Sequence, residues 1–318
     1  MAKNLKYIAL WLLVTLLASA CSKDGADGNE VTNRNEAKKE IGIKPDVWKM
    51  AEATRATTYD NTALQSDGFT VYAYTAESIT PYIDNKTVSY DAPNWIITGR
   101  PYYWPAYNLD FFAYAPATLP SYITAGPAYT SAHNVTFTCS SLPMTNAGQG
   151  SSLKEFMFGM ALGQNGENAG SGVPLQFQHP FARIKLQLAA SHPNVTINSI
   201  TFRGIYNNGD YDHSASPKWS TTGGATDFEL TLEGAAAVFD NNSTAKQIGD
   251  DYIMIPQDWT GVIVVNADCL YWGEKKNYPS LTTTVPTDWQ PGYSYTYTFN
   301  ISPDDLKVEI DDTFTEQW

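Results

Sequence analysis

Cysteine, histidine and basic residues are all scarce in this chain. Only three cysteines occur in 318 residues, and two of them, Cys139 and Cys269, lie far apart. A single pair cannot make the stapled framework of a small secreted domain, so two buried thiols are expected instead. The four histidines, His133, His179, His192 and His213, fall in no HExxH pattern. Neither Cys-x-x-Cys nor Gly-x-Ser-x-Gly occurs, which leaves zinc-hydrolase and α/β-hydrolase chemistry without support. Asp210, Asp212 and His213 come nearest to a ligand cluster, but they follow Asn207-Asn208-Gly209 and read as a polar hairpin turn. Lys and Arg number 20 against 33 Asp and Glu, a net charge of −13. Such a balance repels phosphate backbones, so no nucleic-acid partner is expected. With no catalytic, metal or cofactor signature, the chain reads as a protein other than an enzyme.

Long apolar runs are missing too, with one exception. Residues 7–17 (YIALWLLVTLL) follow Lys3 and Lys6 and precede Ala18-Ser19-Ala20-Cys21. This is the layout of a secretory signal peptide over residues 1–20. As a helix the run rises about 16 Å, too little for a hydrocarbon core of about 30 Å. The small residues before Cys21 resemble a bacterial lipobox, although Ala18 stands where Leu is usual and Leu17 lies one place further back. The resemblance implies lipid on Cys21 and an outer-membrane anchor. Residues 21–40 hold one strongly apolar residue, Val31, and read as a disordered tether. The Lys23-Asp24 pair resembles the export tag of surface lipoproteins in Bacteroidetes.

A helical period is absent as well. No stretch beyond residue 20 keeps a 3.6-residue repeat for three turns, and Leu153–Leu162 is the one segment open to either a short helix or a strand. Alternation with period two dominates: Phe69, Val71 and Ala73; Val173, Leu175 and Phe177; Ile184, Leu186 and Leu188; Phe228, Leu230 and Leu232. Each run is short and bounded by Gly, Pro, Asn or Asp, the mark of half-buried strands in a sandwich or barrel. The Gly-rich stretch 163–172 (GQNGENAGSG) is the best candidate boundary between two all-β halves, 56–170 and 171–318; a Gly-rich hairpin at the same place is the competing reading.

Several local patterns then recur in order: residues 102–105 (YYWP), 108–116 (NLDFFAYAP), 156–160 (FMFGM), 175–184 (LQFQHPFARI), 251–257 (DYIMIPQ) and 289–300 (WQPGYSYTYTFN), with Trp318 at the end. Together they resemble the fimbrillin (Mfa-like) lipoproteins of Bacteroidetes, the subunits of type V pili. The resemblance implies two transthyretin-like Greek-key β-sandwich domains in tandem. It also implies export as a lipoprotein, then cutting by an Arg-specific protease, then filling of the opened groove by a strand of the next subunit.

On that reading Arg55 and Ala56 flank the cut, within the small-residue stretch 52–58 (EATRATT), and 41–55 is the removable segment. The candidate donor is the tail 304–318, where Leu306, Val308 and Ile310 alternate with Lys307 and Glu309. The same tail also reads as the last strand of its own domain. Partners are other pilus subunits of the family, the processing protease and the outer membrane. A rival reading starts from the aromatics, 9 Trp, 20 Tyr and 13 Phe. It makes the chain a non-polymerising surface lipoprotein that binds glycans or host ligands through exposed aromatics, with Trp104, Trp272 and Trp289 as candidate sugar platforms; core filling by the same rings is the alternative.

Overall fold

The computed structural model describes residues 38–47, 60–75, 78, 80–130, 133–149, 153–189, 195–233, 238–239, 245–271, 273–285, 287–302 and 307–317. Cys21, Arg55, Ala56, Trp272 and Leu306 lie outside them, as do the signal segment and most of the tether. In the first half the chain forms β1 (Ile43–Val47), α1 (Asn61–Asp67), β2 (Phe69–Thr75), β3 (Pro81–Asp91), β4 (Asn94–Ile97), β5 (Leu109–Ala115), β6 (Ile123–Thr130), β7 (Asn134–Cys139), α2 (Asn146–Gln149), β8 (Met157–Gln164) and β9 (Val173–Gln178). It continues through β10 (Ala182–Leu188), β11 (Val195–Ile205), β12 (Gly209–Asp212), β13 (Trp219–Thr221), β14 (Thr226–Thr231), β15 (Val238–Phe239), β16 (Lys246–Gln247) and β17 (Tyr252–Met254). The last elements are β18 (Asp258–Trp259), β19 (Val262–Tyr271), β20 (Glu274–Thr284), β21 (Thr287–Asp288), β22 (Tyr293–Ser302) and β23 (Lys307–Gln317). The fold is all-β, as the alternation predicts, and in the segment Leu153–Leu162 the strand β8 begins at Met157.

A seven-stranded sheet of order β1-β9-β8-β5-β2-β3-β4 organises the first half. Its two ends, β1 and β4, come back into contact, so the sheet curls around a core of its own. Val71, Phe111, Met157, Leu175 and Phe177 fill that core, and Leu64 of α1 closes it. The other face packs on a second sheet of order β13-β12-β7-β6, through Phe112, Tyr114, Phe158, Phe137 and Trp219. Strand β5 is covered on both sides, so every residue of LDFFAYA is buried. Alternate side chains there serve two different cores, which is why its pattern reads as nearly continuous apolar sequence. The third core lies between the β16-β10-β22-β23 and β14-β11-β19-β20 sheets, a sandwich built around Ile197, Phe202, Val265, Tyr297 and Phe299.

The expected boundary at 170/171 is corrected. The competing hairpin reading holds: residues 165–172 form the turn between β8 and β9, which pair as Gly159↔Phe177 and Met160↔Gln176 in one sheet. The composition is that of a turn: Gly163 and Gly172 have φ of +63° and +113°, and the Asn165 side chain accepts from the Glu167 and Asn168 amides. The chain passes to the third core only at His179-Pro180-Phe181. It then returns, because β12 pairs with β7 as Tyr211↔Phe137. Neither half is therefore a contiguous stretch ending at 170. The tether also ends earlier than expected, since Glu40 already bridges Tyr103.

Candidate functional site

Strand β1 is the first described strand, separated in sequence from the Asp60 cap of α1 by residues 48–59. It lies at one end of the seven-stranded sheet and runs parallel to β9, with Ile43↔Val173, Pro45↔Leu175 and Val47↔Phe177 in register. Ile41, Ile43 and Val47 are buried, while Lys44 and Asp46 are exposed, so the period of two sorts the strand cleanly into an inner and an outer row. Burying three such side chains contributes roughly 5–9 kcal/mol. Pro45 has no N–H to offer, which a strand with one unpaired side tolerates.

Short contacts fasten both ends of the strand. Ile41 N–H donates to the Tyr102 carbonyl at 2.8 Å, Trp104 N–H donates to the Lys39 carbonyl at 3.0 Å, and Val173 N–H donates to the Gly42 carbonyl at 2.9 Å. Lys39 Nζ donates to the Gly166 carbonyl. At the far end Val47 N–H donates to Asn61 Oδ1 at 2.9 Å, and Asn61 Nδ2 donates to Asp46 Oδ1 at 2.8 Å. Asp60 caps α1 by accepting from the Thr62 and Ala63 amides. Asn61 thus ties the end of β1 to the start of α1. While the linker 48–59 is intact, β1 sees its groove at the high effective concentration of an intramolecular partner.

The tail candidates fall on a second edge. Strand β23 ends its sheet and pairs antiparallel with β22, with Ile301↔Val308 and Phe299↔Ile310. Within this chain the tail is thus the last strand of its own sandwich.

The sugar-platform candidates divide. Trp289 is 1% exposed; it stacks on Trp259 at 5.3 Å and donates from Nε1 to Tyr297 Oη at 2.8 Å. A ring enclosed this way cannot lie against a sugar, so that reading of Trp289 is overturned. Trp104 is half-buried, edge-on to Phe111 at 5.9 Å, and so close to Gly166 that a Cβ there would stand 3.3 Å from the indole. Both are core rings of the kind large apolar side chains make.

The remaining polar candidates are structural. Asp212 accepts from Asn134 Nδ2 at 2.7 Å and from Ser214, and these bonds hold its carboxyl below the usual carboxylate range. Asp210 accepts from Thr138 Oγ1 at 2.6 Å. His179 is buried with its Nδ1 3.0 Å from Glu155 Oε1. Among the described residues no group of acidic, His or Cys side chains could hold a metal ion. Cys139 and Cys269 are buried free thiols, and burial pushes Cys139 up to about 12.

The sequence profile of the fimbrillin-like family matches residues 54–318. The chain belongs to that family. Its fold is also that of solved structures at low sequence identity. A fimbrial protein from Bacteroides vulgatus superposes with a TM-score of 0.64 at 15% identity, covering 88% of this chain and 99% of that one. A candidate cell-adhesion protein from Bacteroides ovatus gives 0.54 at 15% identity, covering 89% and 98%. Another from Bacteroides eggerthii gives 0.51 at 13% identity, covering 88% and 97%. No curated protein matches the sequence significantly. Family membership makes this fimbrillin-like chain a structural protein rather than an enzyme, and points to a pilus at the cell surface built with other subunits of its kind. The matched region begins at residue 54, beyond β1 and next to Arg55.

Proposed function

We propose that this chain is a structural subunit of an adhesive surface fimbria that polymerises by strand exchange. It is exported as a lipoprotein on Cys21, reaches the outer surface, and is cut after Arg55 by an Arg-specific protease. The cut turns β1 from an intramolecular strand into a separate segment that can leave. The tail 304–318 of the next copy then takes its place, presenting Leu306, Val308 and Ile310 to the vacated positions.

One observation carries this reading: β1 is an end strand with a buried apolar row, seated on β9, and in sequence residues 48–59 separate it from the Asp60 cap of α1. Its departure leaves the β9 edge with unpaired backbone groups and an open apolar row, which an extended segment from another copy satisfies through main-chain hydrogen bonds and alternate side chains. A head-to-tail contact of that kind does not close on itself, so it grows a filament.

N-terminal sequencing of protein sheared from cells tests the proposal. Filament material is expected to begin at Ala56. Filaments composed of chains that still begin at Cys21 would refute release by cutting.

A further inference from the structure

The strand that covers the β9 edge is longer than β1. Residues 39–42 continue past it and pair on the other side with the loop at Tyr102–Trp104, through the Ile41–Tyr102 and Trp104–Lys39 backbone bonds and the Glu40↔Tyr103 bridge. Tyr102 is 7% exposed and belongs to the same core as Ile41. Its ring meets Tyr82 edge-on at 6.4 Å, and Tyr82 Oη donates to the Tyr103 carbonyl at 2.6 Å. The loop is therefore anchored from below and does not depend on residues 38–42 alone for its position. When 38–47 leaves, a carbonyl at Tyr102 and an N–H at Trp104 lose their partners together with the β9 edge.

We propose that the loop Tyr102–Trp104 is a second wall of the acceptor site, a backbone clasp that the donated tail of a second copy must also satisfy. This rests on the strand-exchange reading above and adds a requirement to it. The incoming strand must pair on one side with the loop, then on the opposite side with β9, as residues 39–41 and 42–47 do. At the place of Ile41 it must present an N–H, which excludes proline there, and an apolar side chain. The seated segment shows what fits: extended backbone with apolar residues at 41, 43 and 47 and proline only at 45, where the chain still pairs with β9.

The test uses the full chain, nicked by a site-specific protease between residues 48 and 59 so that both pieces remain. A fluorescent peptide of residues 38–47 is exchanged into the nicked protein, and a peptide of residues 304–318 competes for the site. Methylating the amide of Ile41 in the first peptide removes the bond to Tyr102 without touching the protein, and is expected to weaken binding about tenfold. In the nicked Trp104→Pro chain, which lacks the amide that Lys39 accepts, the tail peptide is expected to compete about tenfold less well. Unchanged affinity in the methylated peptide, or an unchanged tail in Trp104→Pro, overturns the clasp and leaves the β9 groove standing. A tail peptide that fails to compete in the unaltered chain overturns the strand-exchange reading itself.

Discussion

Shortening Ile43 to alanine gives the sharpest reading of how β1 is held. Ile43 is 7% exposed and faces the core opposite Val173. Truncating a buried isoleucine removes transfer free energy and leaves a cavity, at a cost of about 2–5 kcal/mol. The lower part of that range applies, because β1 is an end strand and its neighbours can relax into the gap. About 2–3 kcal/mol corresponds to a 30- to 150-fold rise in the dissociation constant of the segment. In the nicked chain, Ile43→Ala should therefore speed loss of the labelled N-terminal piece by that factor, measured by fluorescence anisotropy after dilution. The third core, between the β10 and β11 sheets, contains no residue of β1, so its near-ultraviolet circular dichroism should persist while the piece departs. Two results would refute the reasoning. If release is unchanged, the apolar row does not hold the strand; if the whole chain unfolds with the piece, β1 is not a separable element.

Further predictions concern the tail, the interior and pH. Deleting 304–318 should abolish filaments in an assembly assay, and undiminished filaments would end the donor role of the tail. Trp289→Phe loses both the Nε1 bond to Tyr297 and part of the stack on Trp259; thermal unfolding should show a loss of about 1–3 kcal/mol. Cys139 and Cys269 should react with a thiol reagent only upon unfolding, because burial raises both and the thiolate is the reactive form. Asp212 has a folded pKa below its unfolded one, so its hydrogen bonds stabilise the protein above the unfolded value of about 3.9 and lose that effect as pH falls through the lower folded one. Asp212→Asn should accordingly show a smaller loss of stability between about pH 5 and 2 than the parent chain in urea titrations.

Much of this fold is written locally. The alternation at 69–74, 173–177 and 184–188 marks β2, β9 and β10: in β9 every second residue is exposed, in β2 and β10 the second row holds mostly half-buried side chains, and period two survives in all three. Strands β6 and β20 are not legible for the opposite reason. In β20 most residues are exposed and only Tyr278 and Leu281 are buried, so no apolar row appears; β6 carries Gly126 and Pro127, which argue against a strand on local grounds. The misplaced boundary has a similar origin. A Gly-rich polar stretch marks a turn whether the next strand joins the same sheet or another, and partner choice is decided by Phe158 and Gly159 meeting Gln178 and Phe177 far along the chain. The apolar content of 41–50 marks a segment able to occupy a groove. Its direction does not follow from sequence, because parallel pairing with β9 and the crossing to Tyr102 depend on where 102 and 173 come together.

That convergence also bears on how a filament of the proposed kind would carry load. Tension enters one subunit through the strand seated on β9 and leaves through its own tail, once donated. Between them lies a short path: β9 continues covalently through His179-Pro180-Phe181 into β10, which pairs parallel with β22 through backbone hydrogen bonds from Arg183↔Ser294 to Leu188↔Phe299, and β22 leads into the tail. The crossing is braced from both cores. Trp219 Nε1 donates to the Pro180 carbonyl at 2.6 Å, and Gly292 N–H donates to the Phe181 carbonyl at 2.9 Å. Trp219→Phe removes the first brace while keeping most of the ring volume. If force passes along this path, that variant should assemble normally and yet break at lower force in single-filament stretching. Equal rupture force would mean that the load runs elsewhere, for instance through the β7–β12 pairing that ties the two halves together a second time.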